Sequence, residues 1–87
     1  MEIKAELVLR EIAGDYALIP VGKSVREHNG LFALSETGAR IWELLPQAKT
    51  AEEIVNALKE EYDAPHETIQ TDVREFLNKM RELHIIA

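Results

Sequence analysis

The chain has 87 residues, which is enough for one domain with one modest hydrophobic core. Its hydrophobic fraction of 46% is too high for a disordered chain, and its lack of cysteine excludes disulfides and thiolate metal sites. The formal net charge is −6, and residues 50–87 hold nine acidic side chains against four basic ones, so this half would repel a phosphate backbone.

The N-terminal segment, residues 1–6, is charged and has no apolar stretch, so it does not resemble a signal peptide. No apolar run approaches the length that a membrane span needs. We therefore expect one cytoplasmic domain over residues 1–87, with a polypeptide as partner rather than a nucleic acid or a membrane.

Two strands are predicted at residues 3–12 and 16–21. In the first, the apolar residues alternate with mostly polar ones, as in a strand with one buried face. Gly14-Asp15 predicts the tight turn between the two strands. The second strand is apolar on both faces, and Pro20 should lie near its end because proline cannot donate a ladder hydrogen bond.

A third strand is predicted after the polar arm at residues 22–28, which we expect to be irregular or loosely paired. Asn29-Gly30 is the strongest short hairpin signal, and it precedes an apolar run of four residues: Leu31, Phe32, Ala33 and Leu34. In a three-stranded meander this strand lies at an edge, and it has no Lys or Pro to blunt that edge. Such an edge can accept an extended peptide by strand addition. Alternatively, the arm or a second copy of the chain covers it, the latter giving a homodimer.

Three helices follow. The first is predicted from Ser35, a helix-capping residue, to about Leu45. Thr50-Ala51-Glu52-Glu53 matches the capping box and starts the second helix, which runs to about Tyr62. Pro65 suits the first position of the third helix. That helix carries an apolar stripe at helical spacing, formed by Ile69, Val73, Phe76, Leu77, Met80 and Leu83. The order of elements predicts an α+β fold in which a three-stranded antiparallel sheet packs on three helices.

Gly38 is unusual because glycine inside a helix costs about 1 kcal/mol relative to alanine. We favour close packing of the first helix at this point over space for a ligand. Trp42, Ile41 and Phe76 are expected to be buried together, while Leu77 and Met80 reach the edge of their stripe and line a groove.

No residue pattern indicates catalysis, a metal or a cofactor. His28, His66 and His84 are scattered, and none has a second ligand three or four residues away. Ser24 and Ser35 have no evident base, and helix capping already explains Ser35. Solvated surface side chains are the better interpretation of the histidines.

Several segments together resemble the pyrroloquinoline quinone synthesis protein D family, the small domains that recognise leader peptides of ribosomally synthesised, post-translationally modified peptides. The resembling segments are LSETGARIWELL at residues 34–45, TAEEIV at 50–55, Tyr62-Asp63, DVREFL at 72–77 and LHII at 83–86. The chain departs from the family in having Ser35 where Asn is usual and His84 where Gly is frequent.

The resemblance implies a small winged helix-turn-helix and a peptide-binding chaperone without catalytic activity. In such a domain the leader of a precursor peptide binds as an added strand against the third strand, and the domain presents it to a modifying enzyme, often a radical S-adenosylmethionine enzyme. Carried onto this chain, the binding edge is Leu31, Phe32, Ala33 and Leu34. The facing wall on the last helix is Arg74, Leu77 and Arg81.

The competing interpretation is a winged-helix DNA-binding protein whose last helix reads the duplex. It requires a basic face, but Arg74, Lys79 and Arg81 alternate with acidic residues along the helix. A third interpretation is an interaction module of a larger assembly that has no peptide client.

Overall fold

The structure is a computed structural model that describes residues 1–28 and 30–87. A three-stranded antiparallel sheet is followed by three long helices, as the sequence predicts, and one short helix interrupts the arm after the second strand. The elements are β1 (Leu7–Ile12), β2 (Asp15–Pro20), α1 (Ser24–Glu27), β3 (Phe32–Leu34), α2 (Glu36–Leu44), α3 (Ala51–Glu61) and α4 (His66–Glu82). The α+β class is confirmed. Within the described residues, no helix is both long and apolar enough to cross a lipid bilayer.

The sheet has the strand order β1-β2-β3, so β3 lies at one edge. β1 begins at Leu7 rather than at residue 3, because Ile3 instead forms a bridge with Ile86 near the C-terminus. The hairpin turn is Ala13-Gly14, one residue earlier than predicted, and both residues have positive φ, 53° and 87°. This is the backbone of a type I′ turn, which matches the twist of the strands. Pro20 ends β2, as expected.

The arm between β2 and β3 is attached to the start of β1. The Glu6 amide donates to the Ser24 hydroxyl at 2.8 Å, and the Val21 amide donates to the Glu6 carbonyl at 2.9 Å. Ser24 is buried and begins the short helix α1, where we expected irregular structure. The predicted turn at Asn29-Gly30 includes Asn29, which lies outside the described residues.

The hydrophobic core lies between the sheet and the three long helices. Leu18 of β2 is fully buried, and Ile41 and Trp42 of α2 are 1% and 8% exposed. Phe76 is only half-buried and packs against this core from its edge, so the expectation that it would be buried with Trp42 and Ile41 was wrong in that respect. Part of the Phe76 ring is therefore exposed at the protein surface.

Local side-chain chemistry fixes the helix starts. Ser35 caps α2 by accepting a hydrogen bond from the Gly38 amide at 3.0 Å. Thr50 and Glu53 form the predicted capping box at the start of α3. Backbone N–H groups of Lys49 and Thr50 donate to the Glu53 carboxylate and lower its pKa. Pro65 is the N-cap of α4, one residue before the helical position predicted for it.

The end of α4 is a Schellman motif with an unfavourable residue. The Ile85 amide donates to the Met80 carbonyl at 2.9 Å and the His84 amide to the Arg81 carbonyl at 3.0 Å. His84 has φ 59°, the left-handed conformation that glycine adopts most easily. Of the two residues in which this chain departs from the pattern of the family it resembles, His84 thus carries backbone strain.

We therefore expect His84→Gly to stabilise the protein. The left-handed conformation costs a non-glycine residue about 1–2 kcal/mol, which the substitution removes. Glycine also makes the unfolded chain more flexible, which offsets part of this stabilisation and leaves a net increase of about 1 kcal/mol in the free energy of unfolding. Urea unfolding followed by circular dichroism measures this difference. Glu82→Gly, inside the last helical turn, is the matched control and should lose about 1 kcal/mol. A His84→Gly protein no more stable than the wild type contradicts the assignment of strain.

One ion pair joins α2 to α3. The Arg40 guanidinium donates two parallel hydrogen bonds to the Glu61 carboxylate, at 2.7 and 2.8 Å. These bonds lower the pKa of Glu61 below its ordinary value of 4.5.

Because the folded-state pKa is the lower one, the stabilisation is present above the unfolded pKa. It is lost as the pH falls from about 4.5 through the folded pKa. We expect Glu61→Gln to reduce the fall in unfolding free energy between pH 6 and pH 3, measured by urea denaturation at each pH. Glu60→Gln removes a neighbouring charge without touching Arg40 and should keep the wild-type pH dependence. Equal pH profiles for the wild type and Glu61→Gln would contradict a contribution from this pair.

Candidate functional site

A groove of about 750 Å³ runs between the edge strand β3 and helix α4. The start of α2 forms its floor. Its lining residues are Leu31, Phe32, Ala33, Leu34, Ser35, Thr37, Gly38 and Ile41 on one side, and Asp72, Glu75, Phe76, Lys79, Met80 and Leu83 on the other. The groove therefore joins a strand edge to a helical wall, which is the arrangement that an extended peptide requires.

β3 presents one edge to β2 and the other to this groove. Leu18 pairs with Phe32 and Tyr16 with Leu34, and among the described residues no strand pairs with the opposite edge of β3. Phe32 and Leu34 face the core, whereas Leu31 and Ala33 are exposed. The free edge offers backbone N–H and C=O groups beside an apolar surface.

The polar arm does not fill the groove. Its described residues 22–28 are absent from the lining, and Ser24 ties the arm to β1 instead. His28 stacks edge-on against Phe32, with ring centroids 5.5 Å apart, and so supports one side of the strand. The sequence analysis offered the arm or a second copy of the chain as a cover for the β3 edge. The described residues of the arm, 22–28, do not cover it.

Gly38 is a buried residue in the lining of the groove, next to Phe76. A Cβ atom on Gly38 would lie 3.4 Å from Cε2 of Phe76 and 3.3 Å from the Ser35 hydroxyl oxygen. The absence of a side chain lets Phe76 pack against α2 and also leaves depth in the groove. The sequence analysis considered close packing and space for a ligand as alternatives at Gly38. The structure shows close packing at a position that also lines the groove.

The α4 wall of this groove is mixed in charge and acidic on balance. Asp72 and Glu75 lie beside Phe76, and Lys79 follows one turn later. The chain as a whole carries 16 acidic and 10 basic residues. In the described structure, no three His, Asp or Glu side chains come close enough to hold a metal ion. The wall is suited to a peptide with basic residues rather than to a phosphate backbone.

Three predicted site residues lie elsewhere. Arg74, Leu77 and Arg81 line a second groove, between α3 and α4, on the other side of the buried stripe of α4. Leu77 is 1% exposed and belongs to the core. The structure thus brings Leu31, Phe32, Ala33 and Leu34 together in one groove but does not place Arg74, Leu77 and Arg81 with them.

The wall residues lie on the face of α4 that contains Phe76; the sequence analysis predicted that Met80 lines a groove and missed the others. Asp72, Glu75, Phe76, Lys79, Met80 and Leu83 recur at helical spacing, i, i+3, i+4, i+7, i+8 and i+11. The spacing identifies a face, but the sequence does not show that this face, and not the one that contains Arg74 and Arg81, turns toward β3. The contact of Phe76 with Gly38 decides this.

The chain is similar to known proteins in sequence and in fold. Residues 9–86 match the family model described as coenzyme PQQ synthesis protein D (PqqD). One similar solved structure is that of TbiB1 in complex with the TbiA(beta) leader peptide. It is 30% identical with a TM-score of 0.72, and the match covers 99% of this chain and 94% of the TbiB1 chain. No curated protein matches this chain significantly.

The family match spans nearly all of the domain and includes β3, α2 and α4, which form the groove. The chain belongs to the PqqD family. The resemblance that the sequence motifs predicted is confirmed.

Proposed function

We propose that this chain binds the leader of a ribosomally made precursor peptide in the groove between β3 and α4 and presents it to a modifying enzyme. The observation that carries this proposal is the free edge of β3 beside a helical wall in which Phe76 lies among charged residues. Membership in the PqqD family supports it, as does similarity to TbiB1, which was solved in complex with a leader peptide.

In the proposed complex the leader forms a fourth strand along Leu31, Phe32, Ala33 and Leu34. Backbone hydrogen bonds to β3 supply affinity with little sequence preference. Alternate side chains of the added strand face α4, because successive side chains of a strand point to opposite sides. Phe76, Met80 and Gly38 would select the residues that enter the groove, and Asp72 and Glu75 would favour basic residues nearby.

The domain itself acts without catalysis in this proposal and needs no cofactor. Its enzyme partner is of the radical S-adenosylmethionine type, an assignment that rests on the family resemblance alone. The site of action is the cytoplasm, where a ribosomal precursor is made, in keeping with a chain that lacks cysteine. The winged-helix DNA-binding alternative gains no support, since the exposed wall of α4 carries Asp72 and Glu75.

Nuclear magnetic resonance titration tests the proposal. Isotope-labelled protein is titrated with a synthetic peptide. The peptide is the leader of a precursor encoded beside the gene for this protein. Amide shifts should concentrate at residues 30–35 and at the groove-facing positions between 72 and 83. Shifts confined to α3, or no binding up to millimolar peptide, would disprove the proposed site.

Phe76→Ala should weaken leader binding by about tenfold or more, since truncating an aromatic anchor in an interface commonly costs over 1 kcal/mol. Tyr62→Ala is the matched control, because Tyr62 is also half-buried against the core but does not line the groove. Binding should weaken with added salt, and replacing Asp72 and Glu75 by their amides should reduce that dependence.

A second copy of this chain is the competing occupant of the β3 edge. Sedimentation without peptide distinguishes the two. A monomer that binds the leader supports the proposal. A dimer that dissociates when the β3 edge is altered would show that a second copy of the chain, and not the leader, occupies this edge.

A further inference from the structure

A second groove, of about 450 Å³, lies between α3 and α4. Its floor is apolar and closed: Val55, Val73 and Leu77 line it and are 5%, 0% and 1% exposed. It occupies the opposite flank of α4 from the proposed leader groove and shares no lining residue with it. The two grooves can therefore be filled at the same time.

The rim of this groove is rich in hydrogen-bond donors. α3 contributes Glu52 and Asn56, and α4 contributes His66, Gln70, Arg74, Asn78 and Arg81. Within the described part of the chain, none of these side chains forms a hydrogen bond or an ion pair with another residue. The described ion pairs use Arg40 alone among the basic residues, although the chain has 16 acidic ones.

The two flanks of α4 differ in charge. The leader groove has Asp72 and Glu75 against Lys79, whereas the second groove has Arg74 and Arg81 against Glu52. In a protein of net charge −6, a groove with an excess of positive charge is a local exception. Charge complementarity thus calls for an acidic occupant here and a basic one on the other flank.

We propose that the groove between α3 and α4 docks an acidic amphipathic helix of a second protein. An apolar groove between two helices accepts a third helix through its apolar stripe, and no free strand edge lies here to hold an extended chain. The apolar stripe of the partner packs over this buried floor, against Ala51 and the aliphatic stems of Arg74 and Arg81 that line the groove.

Carboxylates beside that stripe accept paired hydrogen bonds from the guanidinium groups of Arg74 and Arg81, a geometry that arginine provides and lysine does not. The two arginines are seven residues apart, which is about 10.5 Å along a helix. A partner helix lying along the groove would match them with acidic residues seven positions apart. This proposal does not depend on leader binding.

The test uses two synthetic 18-residue helical peptides as probes. Both carry a leucine stripe, one has glutamates seven residues apart on its flank, and the other has glutamines at the same positions. Methyl-labelled protein is titrated with each. The acidic peptide should shift the methyl signals of Val55, Val73 and Leu77 with saturation, and the glutamine peptide should bind about tenfold more weakly.

Matched variants of the protein assign the charge effect. Arg74→Gln with Arg81→Gln should weaken the acidic peptide about tenfold, to the level of the glutamine peptide. Lys59→Gln removes one positive charge from α3 outside both grooves and should leave binding unchanged. Urea unfolding of each variant checks that the fold is intact.

Five results would overturn the proposal. Three of them are equal binding of the two peptides, a Lys59→Gln variant that binds as weakly as the arginine variants, and shifts at the methyl groups of Thr37 and Met80 in the other groove. Arbitrary duplex DNA that shifts the same methyl groups more strongly would identify a nucleic-acid surface instead. Sedimentation of the protein alone tests whether a second copy of the chain occupies the groove. Self-association that the arginine variants abolish would show that it does.

Discussion

Trp42→Ala is expected to remove about 3–5 kcal/mol of stability, the usual cost of truncating a core aromatic residue. Trp42 is 8% exposed and belongs to the buried cluster that joins α2 to the sheet and to α4. The free energy of unfolding of a natural domain is about 5–15 kcal/mol in total, so this loss removes a large part of it. Urea unfolding followed by circular dichroism measures the loss.

Glu43→Ala is the control on the same helix. Glu43 is exposed and lies 3.8 Å from Arg40 in a surface ion pair, which contributes about 0–1 kcal/mol. A loss below about 1 kcal/mol for Trp42→Ala would place Trp42 outside the core, in conflict with the structure.

Gly38→Leu is expected to destabilise the fold and to abolish leader binding. A Cβ atom alone would already lie 3.4 Å from the Phe76 ring, and the further leucine atoms must displace that ring or project into the groove. Overpacking of this kind costs about 1–3 kcal/mol. Urea unfolding gives the stability, and titration with the synthetic leader gives the binding.

Gly38→Ala separates the two effects. Alanine gains about 1 kcal/mol of helix propensity over glycine, which opposes the tight contacts of its Cβ with Phe76 and Ser35. We expect its stability to stay within about 1 kcal/mol of the wild type. A Gly38→Leu protein that keeps full stability but loses leader binding would show that Gly38 serves the site and not the scaffold.

Features set by local chemistry could be predicted from the sequence. Ser35 caps α2 directly after an apolar strand, and Thr50 with Glu53 forms a capping box. Both could be predicted because each interaction joins residues that are three apart in the sequence. The third strand was predicted at residues 31–34, and the structure has it at Phe32–Leu34. Its sequence shows an apolar run without lysine or proline, bounded by a turn signal and a helix cap.

Features set by distant contacts could not be predicted. The short helix α1 depends on Ser24 accepting a hydrogen bond from Glu6, 18 residues earlier. In the observed orientation of α4, Phe76 packs against Gly38, 38 residues earlier, and Arg74 and Arg81 line the groove with α3 instead of lying beside β3. The apolar stripe of α4 is broad enough for either flank to have faced the strand.

A single residue, Ser35, separates β3 from α2. The strand edge and the groove floor are thus parts of one nearly rigid unit, held by the cap that also orients Gly38. A surface already in its binding conformation loses little conformational entropy when a ligand arrives. Association with such a surface needs no slow rearrangement, so a short ligand of modest affinity is captured and released rapidly. In the proposed role, these kinetics suit a carrier that releases each client to an enzyme and returns for the next.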